Sequence, residues 1–129
     1  MGSPAEHNGG NGVVAGGAAL ACAAVALGAF GTHGLRGHIG SVELGWWQTA
    51  VDYQMWHGLG VLALGFGNRP WARLPAMLLA AGAVIFSATL YAMALGAPHW
   101  LGAVTPLGGL AMIGGWALLA WRASQPMMS

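Results

Sequence analysis

A chain of 129 residues and 13.1 kDa has room for one domain, and only 5% of it is charged: four arginines, three carboxylates and no lysine, for a net charge of +1. Soluble domains carry about 25% charged residues, so a chain that is 57% hydrophobic with a mean hydropathy of +0.63 lacks the polar surface water demands and reads as solvated by lipid. The same composition excludes a basic field for nucleic acid, and the single Cys22 excludes an intrachain disulfide.

Residues 1–12 are polar and glycine-rich and are expected to form a disordered tail. Residues 13–30 hold no charge and make the first expected span, a membrane helix needing about 17–25 such residues. A cleaved signal peptide is the competing reading, but signal peptides start basic, and only Glu6 precedes this run. Residues 31–40 carry Thr32, His33, Arg36 and His38 among four glycines and read as a turn outside the hydrocarbon. Ser41 is placed to cap the second helix, with Glu43 in its first turn against the positive helix end. Trp46 and Trp47 are expected at a membrane–water boundary. The helix continues to Phe66, with its lipid-depth part over residues 50–67 and Asp52 near one end.

Asn68, Arg69, Pro70, Arg73 and Pro75 stop that helix. Residues 76–95 form the clearest span, and residues 96–100 a third turn. Thr105 followed by Pro106 fits a cap and a first helical proline. The fourth span therefore runs from about Thr105 to Trp121, with residues 101–104 as an entry loop and 123–129 as a C-terminal tail. The expected fold is all-α: a four-helix transmembrane bundle over residues 13–122 with both termini on one side. That side carries Arg69, Arg73 and Arg122 and the other Arg36, which predicts cytoplasmic termini.

Apolar burial does not drive helices together in lipid; close contact between small residues does much of that work. The first span offers Gly12 and Gly16, and a second stripe of Gly17, Ala21, Ala24 and Gly28. The third offers Ala88, Ala92 and Gly96, and the fourth Gly108, Ala111 and Gly115. Packing within one bundle and a dimer face both follow from such stripes.

Polar groups at membrane depth are few. His57 is the deepest ionisable residue; Tyr53 and Gln54 lie one turn before it, and Asp52 lies near the interface. Ser87 and Tyr91 are a turn apart with Thr89 between them, and Thr105 opens the last span. These groups suit hydrogen bonds between helices, a proton or ion path through His57 and Asp52, or metal or haem ligation by His33, His57 and His38. Against haem, His33 sits in a turn while His57 lies roughly 12 Å along a helix from Thr49. No His or Cys cluster has zinc spacing, and the scattered methionines read as gap fillers. No metal or cofactor is expected. The sequence has no nucleophile elbow, P-loop, dinucleotide fingerprint or zinc-protease motif, and no carboxylate pair at depth, so an enzyme is not expected.

Phe30-Gly31-Thr32-His33-Gly34-Leu35 is similar to a signature usually written FGAHGL. Trp47-Gln48-Thr49-Ala50-Val51 and Tyr53-Gln54-Met55-Trp56-His57 resemble a second signature, WQTA followed by YQMxH. Phe86-Ser87, Leu90-Tyr91, Thr105-Pro106-Leu107-Gly108-Gly109 and Gly115-Trp116 resemble a third. In this order they resemble the DUF423 family of small membrane proteins, whose eukaryotic relatives are called transmembrane protein 256. The resemblance covers residues 13–121 and implies a four-span protein of the bacterial inner membrane, with no agreed catalytic residues to carry over. Thr32, Ala88 and Trp56 depart mildly from the pattern. The expected role is an accessory or assembly subunit, acting through helix contacts with a larger membrane complex or by self-association. A small transporter or proton path on the second helix, and a metal-, haem- or quinone-binding protein, are the alternatives.

Overall fold

Proline, glycine and asparagine punctuate four long helices. The structure, a computed structural model, describes the backbone of residues 4–126 and the side chains of residues 9–126, so residues 1–3 and 127–129 of the expected tails lie outside the described residues. Helix α1 spans Pro4–Phe30, α2 Ser41–Gly67, α3 Arg73–Ala94 and α4 Thr105–Ala123. Asn68 ends α2 at φ 48°, and Gly96 turns the chain after α3 at φ 103°, left-handed conformations that release helix ends. Three stretches are long and apolar enough to cross a membrane: Gly9–Leu35, Pro70–Ala94 and His99–Ala123. Helix α2 is not among them, because Glu43, Gln48, Asp52, Gln54 and His57 dilute its apolar content.

Several local expectations shift. Helix α1 starts at Pro4, so most of the stretch read as a tail is helical, and Gly10 within it is buried against Asn68 and Gly65 at the far end of α2. After Phe30 the helix widens into a π-type turn, Gly31–Leu35, closed by the Arg36 amide donating to the Gly31 carbonyl at 3.1 Å. Gly40, and not Ser41, occupies the cap position of α2, and no side chain caps that end. Residues expected as an entry loop form a single tight turn, His99–Ala103, and Val104 takes the cap position of α4. Thr105 is the first helical residue, its hydroxyl engaged elsewhere.

The helices pack in chain order: α1 on α2, α2 on α3, α3 on α4. The α1–α2 contact is built on a period of seven. Gly10, Gly17, Ala24 and Gly31 are buried on α1 and its π-type turn, facing buried Val51, Gly58 and Gly65 on α2. A seven-residue repeat is the period of a left-handed helix pair, and here small residues bring backbone onto backbone. A Cβ on Gly17 would lie 2.7 Å from the Gly58 carbonyl oxygen, and one on Gly65 would lie 2.6 Å from the Val14 amide nitrogen. The α3–α4 contact repeats the device. Gly82 and Gly108 abut each other's backbones, and a Cβ on Gly115 would meet the Leu79 side chain at 2.9 Å.

Of the glycines expected to pack, Gly17, Gly108 and Gly115 do so closely, and Gly28 touches only Val51, at 3.3 Å from an added Cβ. Gly12 and Gly16 are exposed, with nothing within 4 Å of an added Cβ. They share a helix with Gly17 but lie on its outer side. The Ala88 stripe also faces outward, and its Gly96 serves as the left-handed turn. This contrast gives a clean test. Gly17→Leu forces backbone apart and is expected to destabilise the protein by about 1–3 kcal/mol or more. Gly16→Leu enters open space and is expected to leave the thermal transition in mild detergent within error of the wild type.

Candidate functional site

Helices α2 and α3 carry most of the buried polar side chains, Gln54 and His57 on the one and Ser87 and Thr89 on the other, and their neighbours answer them one by one. Near the π-type turn, Trp47 points inward instead of marking the boundary. It is 3% exposed, its indole nitrogen donates to the Leu27 carbonyl of α1 at 2.8 Å, and its ring lies against Tyr91 with centroids 4.6 Å apart. Gly31 is what admits it: a Cβ there would sit 2.7 Å from the indole ring. One turn deeper, Ser87 of α3 donates to the Ala50 carbonyl of α2 at 2.8 Å.

Gln54 ties three helices. Its amide nitrogen donates to the Leu20 carbonyl of α1 at 2.9 Å, and its amide oxygen accepts from the Tyr91 hydroxyl of α3 at 2.7 Å. The acceptor and donor ends of one primary amide are thus spent on opposite neighbours. Below it, His57 joins α2 to α4. Its Nδ1 lies 2.7 Å from the Tyr53 carbonyl, and the Trp116 indole donates to its Nε2 at 3.0 Å. An indole N–H can only donate and a carbonyl can only accept. These two partners therefore fit one form of the ring, the neutral imidazole with its hydrogen on Nδ1. Tyr53 stacks on His57 at 7° and leans on Phe86 of α3. Thr89 and Thr105 complete the set between α3 and α4, their hydroxyls 2.7 Å apart and backed by the carbonyls of Phe86 and Leu101.

The sequence-derived candidates thus divide. Gln54, His57, Ser87, Tyr91 and Thr105 are buried or half-buried members of this network, with Tyr53 packed against it. Asp52 stays outside it and accepts from Gln48 on the exposed side at 2.9 Å. Its hydrogen bond is to Gln48 and not to His57, whose partners are Tyr53 and Trp116. His33 is exposed on the π-type turn, as is His38 just after it. Among the described residues, no three His, Cys, Asp or Glu side chains gather where a metal ion would sit, and every buried side-chain nitrogen and oxygen has a hydrogen-bond partner. Sequence reasoning missed Trp47 and Trp116, whose ring nitrogens act as donors, and Gly10, Gly58, Gly65 and Gly82, which bring the helices close. The seven-residue spacing of Gly10, Gly17, Ala24 and Gly31 was the available signal.

A family model described as "Protein of unknown function (DUF423)" matches residues 27–109, a stretch that holds most of the network. A UPF0382 membrane protein of Staphylococcus haemolyticus is 43% identical over 109 residues, covering 80% of this chain and 87% of its own. A UPF0382 membrane protein of Staphylococcus epidermidis is 44% identical over the same length, with 80% and 87% covered. The UPF0382 inner membrane protein YgdD of Escherichia coli K12 is 42% identical over 99 residues, covering 74% of this chain and 76% of its own. No solved structure matches the chain.

The Tyr91–Gln54 pair offers a direct measurement. In a double-mutant cycle of Gln54→Leu and Tyr91→Phe, each single change is expected to destabilise. The coupling energy is expected near about 0.6 kcal/mol and no more than about 1.7 kcal/mol, the range for such bonds within membranes. Unfolding in lipid or mixed micelles reads it.

Proposed function

The chain belongs to the DUF423 family and is a small bacterial inner-membrane protein, and from that premise we propose that it crosses the bilayer four times and works by docking on the transmembrane helices of a larger membrane complex. The four-span topology is supported by the way the helices meet. Gly9 near the start of α1 lies against Arg73 at the start of α3, so both apolar helices set out from the same end. Helix α2 must then return across the full thickness between them. At 27 residues it is roughly 40 Å long, enough to span, and the polar side chains in its middle, Gln54 and His57, are covered by α1, α3 and α4. Both termini then share the end that holds Arg69, Arg73 and Arg122, with Arg36 opposite, and the excess of arginine assigns that end to the cytoplasm. Reporter fusions at the C-terminus and at Gly37 are expected to report cytoplasm and periplasm respectively. Opposite locations for the two chain ends would sink the topology.

The docking role rests on one observation: an outward face of small residues on α1, unpartnered within the bundle. Gly12, Ala15, Gly16 and Ala19 are all exposed. Gly16 and Ala19 border an apolar groove of about 490 Å³ between α1 and α3, walled by Leu20, Ala80, Ala81, Val84 and Ile85. In lipid such a face lets a second helix come close. A transporter or proton path draws less support, since His57 spends both ring nitrogens on fixed partners. The lone Cys22 is exposed on the same helix and gives a native handle. Crosslinking from Cys22 in native membranes is expected to yield one defined adduct with another membrane protein, lost in Gly16→Leu while the fold persists. No adduct ends the docking reading, and an adduct of twice the chain mass transfers the face to self-association.

A further inference from the structure

Three of the four arginines stand at one end of the molecule, and two of them line a cavity that the hydrogen-bond network does not use. The cavity, about 480 Å³, opens where the connection between α2 and α3 meets the end of α4. Asn68, Arg69 and Trp71 form one wall, and Arg122 and Gln125 the other. Trp71 organises both cations. The Arg122 guanidinium donates to its carbonyl at 2.9 Å, and the Arg69 guanidinium lies 5.9 Å from its ring centre. One bond occupies a small part of the five donors an arginine carries. The two fixed forks therefore retain the geometry that grips a phosphate with paired hydrogen bonds.

The charge balance points the same way. Glu43 and Asp52 both lie in the half of α2 remote from this cavity. Glu6, the remaining side-chain carboxylate, is on the first turns of α1 at the same end as Arg73, its side chain outside the described residues, and leaves the arginines there in excess. The site also lies at the level where the apolar helices end, with Trp121 exposed beside Arg122 and Leu74 exposed at the start of α3. Tryptophan favours the headgroup level, and basic pockets between membrane helices take anionic head groups.

We infer that this cavity binds the phosphate of an anionic phospholipid, held between Arg69 and Arg122 with its acyl chains along α3 and α4. The site is separate from the proposed docking groove on α1 and stands or falls independently of it. Phosphate chemistry is shared by free phosphate, but a cavity at the rim of three apolar helices with exposed apolar side chains favours the lipid.

Native mass spectrometry of the full chain in detergent tests this with two lipids of equal acyl chains, phosphatidylglycerol and phosphatidylcholine. Wild-type protein is expected to retain phosphatidylglycerol preferentially. The preference is expected to fall about fivefold in Arg69→Gln and about thirtyfold when Arg122→Gln is added, taking roughly one arginine's worth of surface attraction each. Arg36→Gln, at the other end, should leave it unchanged. Because Arg122 also anchors Trp71, the single Arg69→Gln variant serves as the fold-safe arm, checked by its thermal transition. Equal retention of the two lipids, or a preference that survives both substitutions, overturns the site. Complete displacement of phosphatidylglycerol by millimolar inorganic phosphate overturns the lipid as its occupant.

Discussion

A bilayer interior offers no water to a polar group, so each must find its partner within the protein. On the proposed four-span topology that constraint acts on one helix. The first, third and fourth helical stretches are apolar enough to enter lipid unaided; α2, with Gln54 and His57 in its middle, is not. The arrangement that satisfies α2 is the one observed. Helices α1 and α3 flank it, α4 reaches it through Trp116, and every buried side-chain nitrogen and oxygen among the described residues is paired. The order of packing follows from where the acceptors and donors are needed.

Glycine makes those pairings reachable. A glutamine side chain finds the Leu20 carbonyl because α1 and α2 are nearly in backbone contact, and they are so because Gly17 and Gly58 face each other one turn away. That carbonyl already serves its own helix and uses its second lone pair for Gln54. Trp47 and Leu27 show the same coupling, with Gly31 opening the space for the indole. Between α3 and α4, Gly82 and Gly108 meet, and the bond of Thr89 to Thr105 lies toward the start of α4. Small-residue contact and polar bonding are therefore one mechanism at three places. A substitution that widens the glycine contact also strips the neighbouring polar group of its partner.

Much of this was legible in the residues. Charge scarcity named the solvent, hydropathy located the last three helices within a few residues, and the scarce polar side chains Gln54, His57, Ser87, Tyr91 and Thr105 are members of the network. Two things escaped. Side-chain periodicity says which residues share a face but not which neighbour that face meets. Gly16 and Gly17 are adjacent, and only the second is buried. Tryptophan is ambiguous for a physical reason. Its ring is at home in hydrocarbon and its N–H requires an acceptor, so Trp47 suits a boundary until a carbonyl such as that of Leu27 lies within reach. The helical start before Val13 was hidden by glycines, which weaken a helix on its own but let this one press against Gly65.

A saturated interior moves the search for activity outward. His57 would have to break a bond to Trp116 or to Tyr53 before it passed a proton, and Gln54 would have to release Leu20 or Tyr91 before it met a ligand. Each release leaves a polar group bare in hydrocarbon, an unfavourable step with no water to offset it. The outer surface carries no such penalty. On the proposed readings the exposed glycines of α1 exchange lipid for a helix, and Arg69 and Arg122 exchange water for phosphate, without disturbing any internal bond except the one Arg122 makes to Trp71. That single bond makes the arginine end the one outward feature coupled to the interior. It links the end of α4 to the turn that starts α3, so an anion drawn to Arg122 bears on how those two helices are held together.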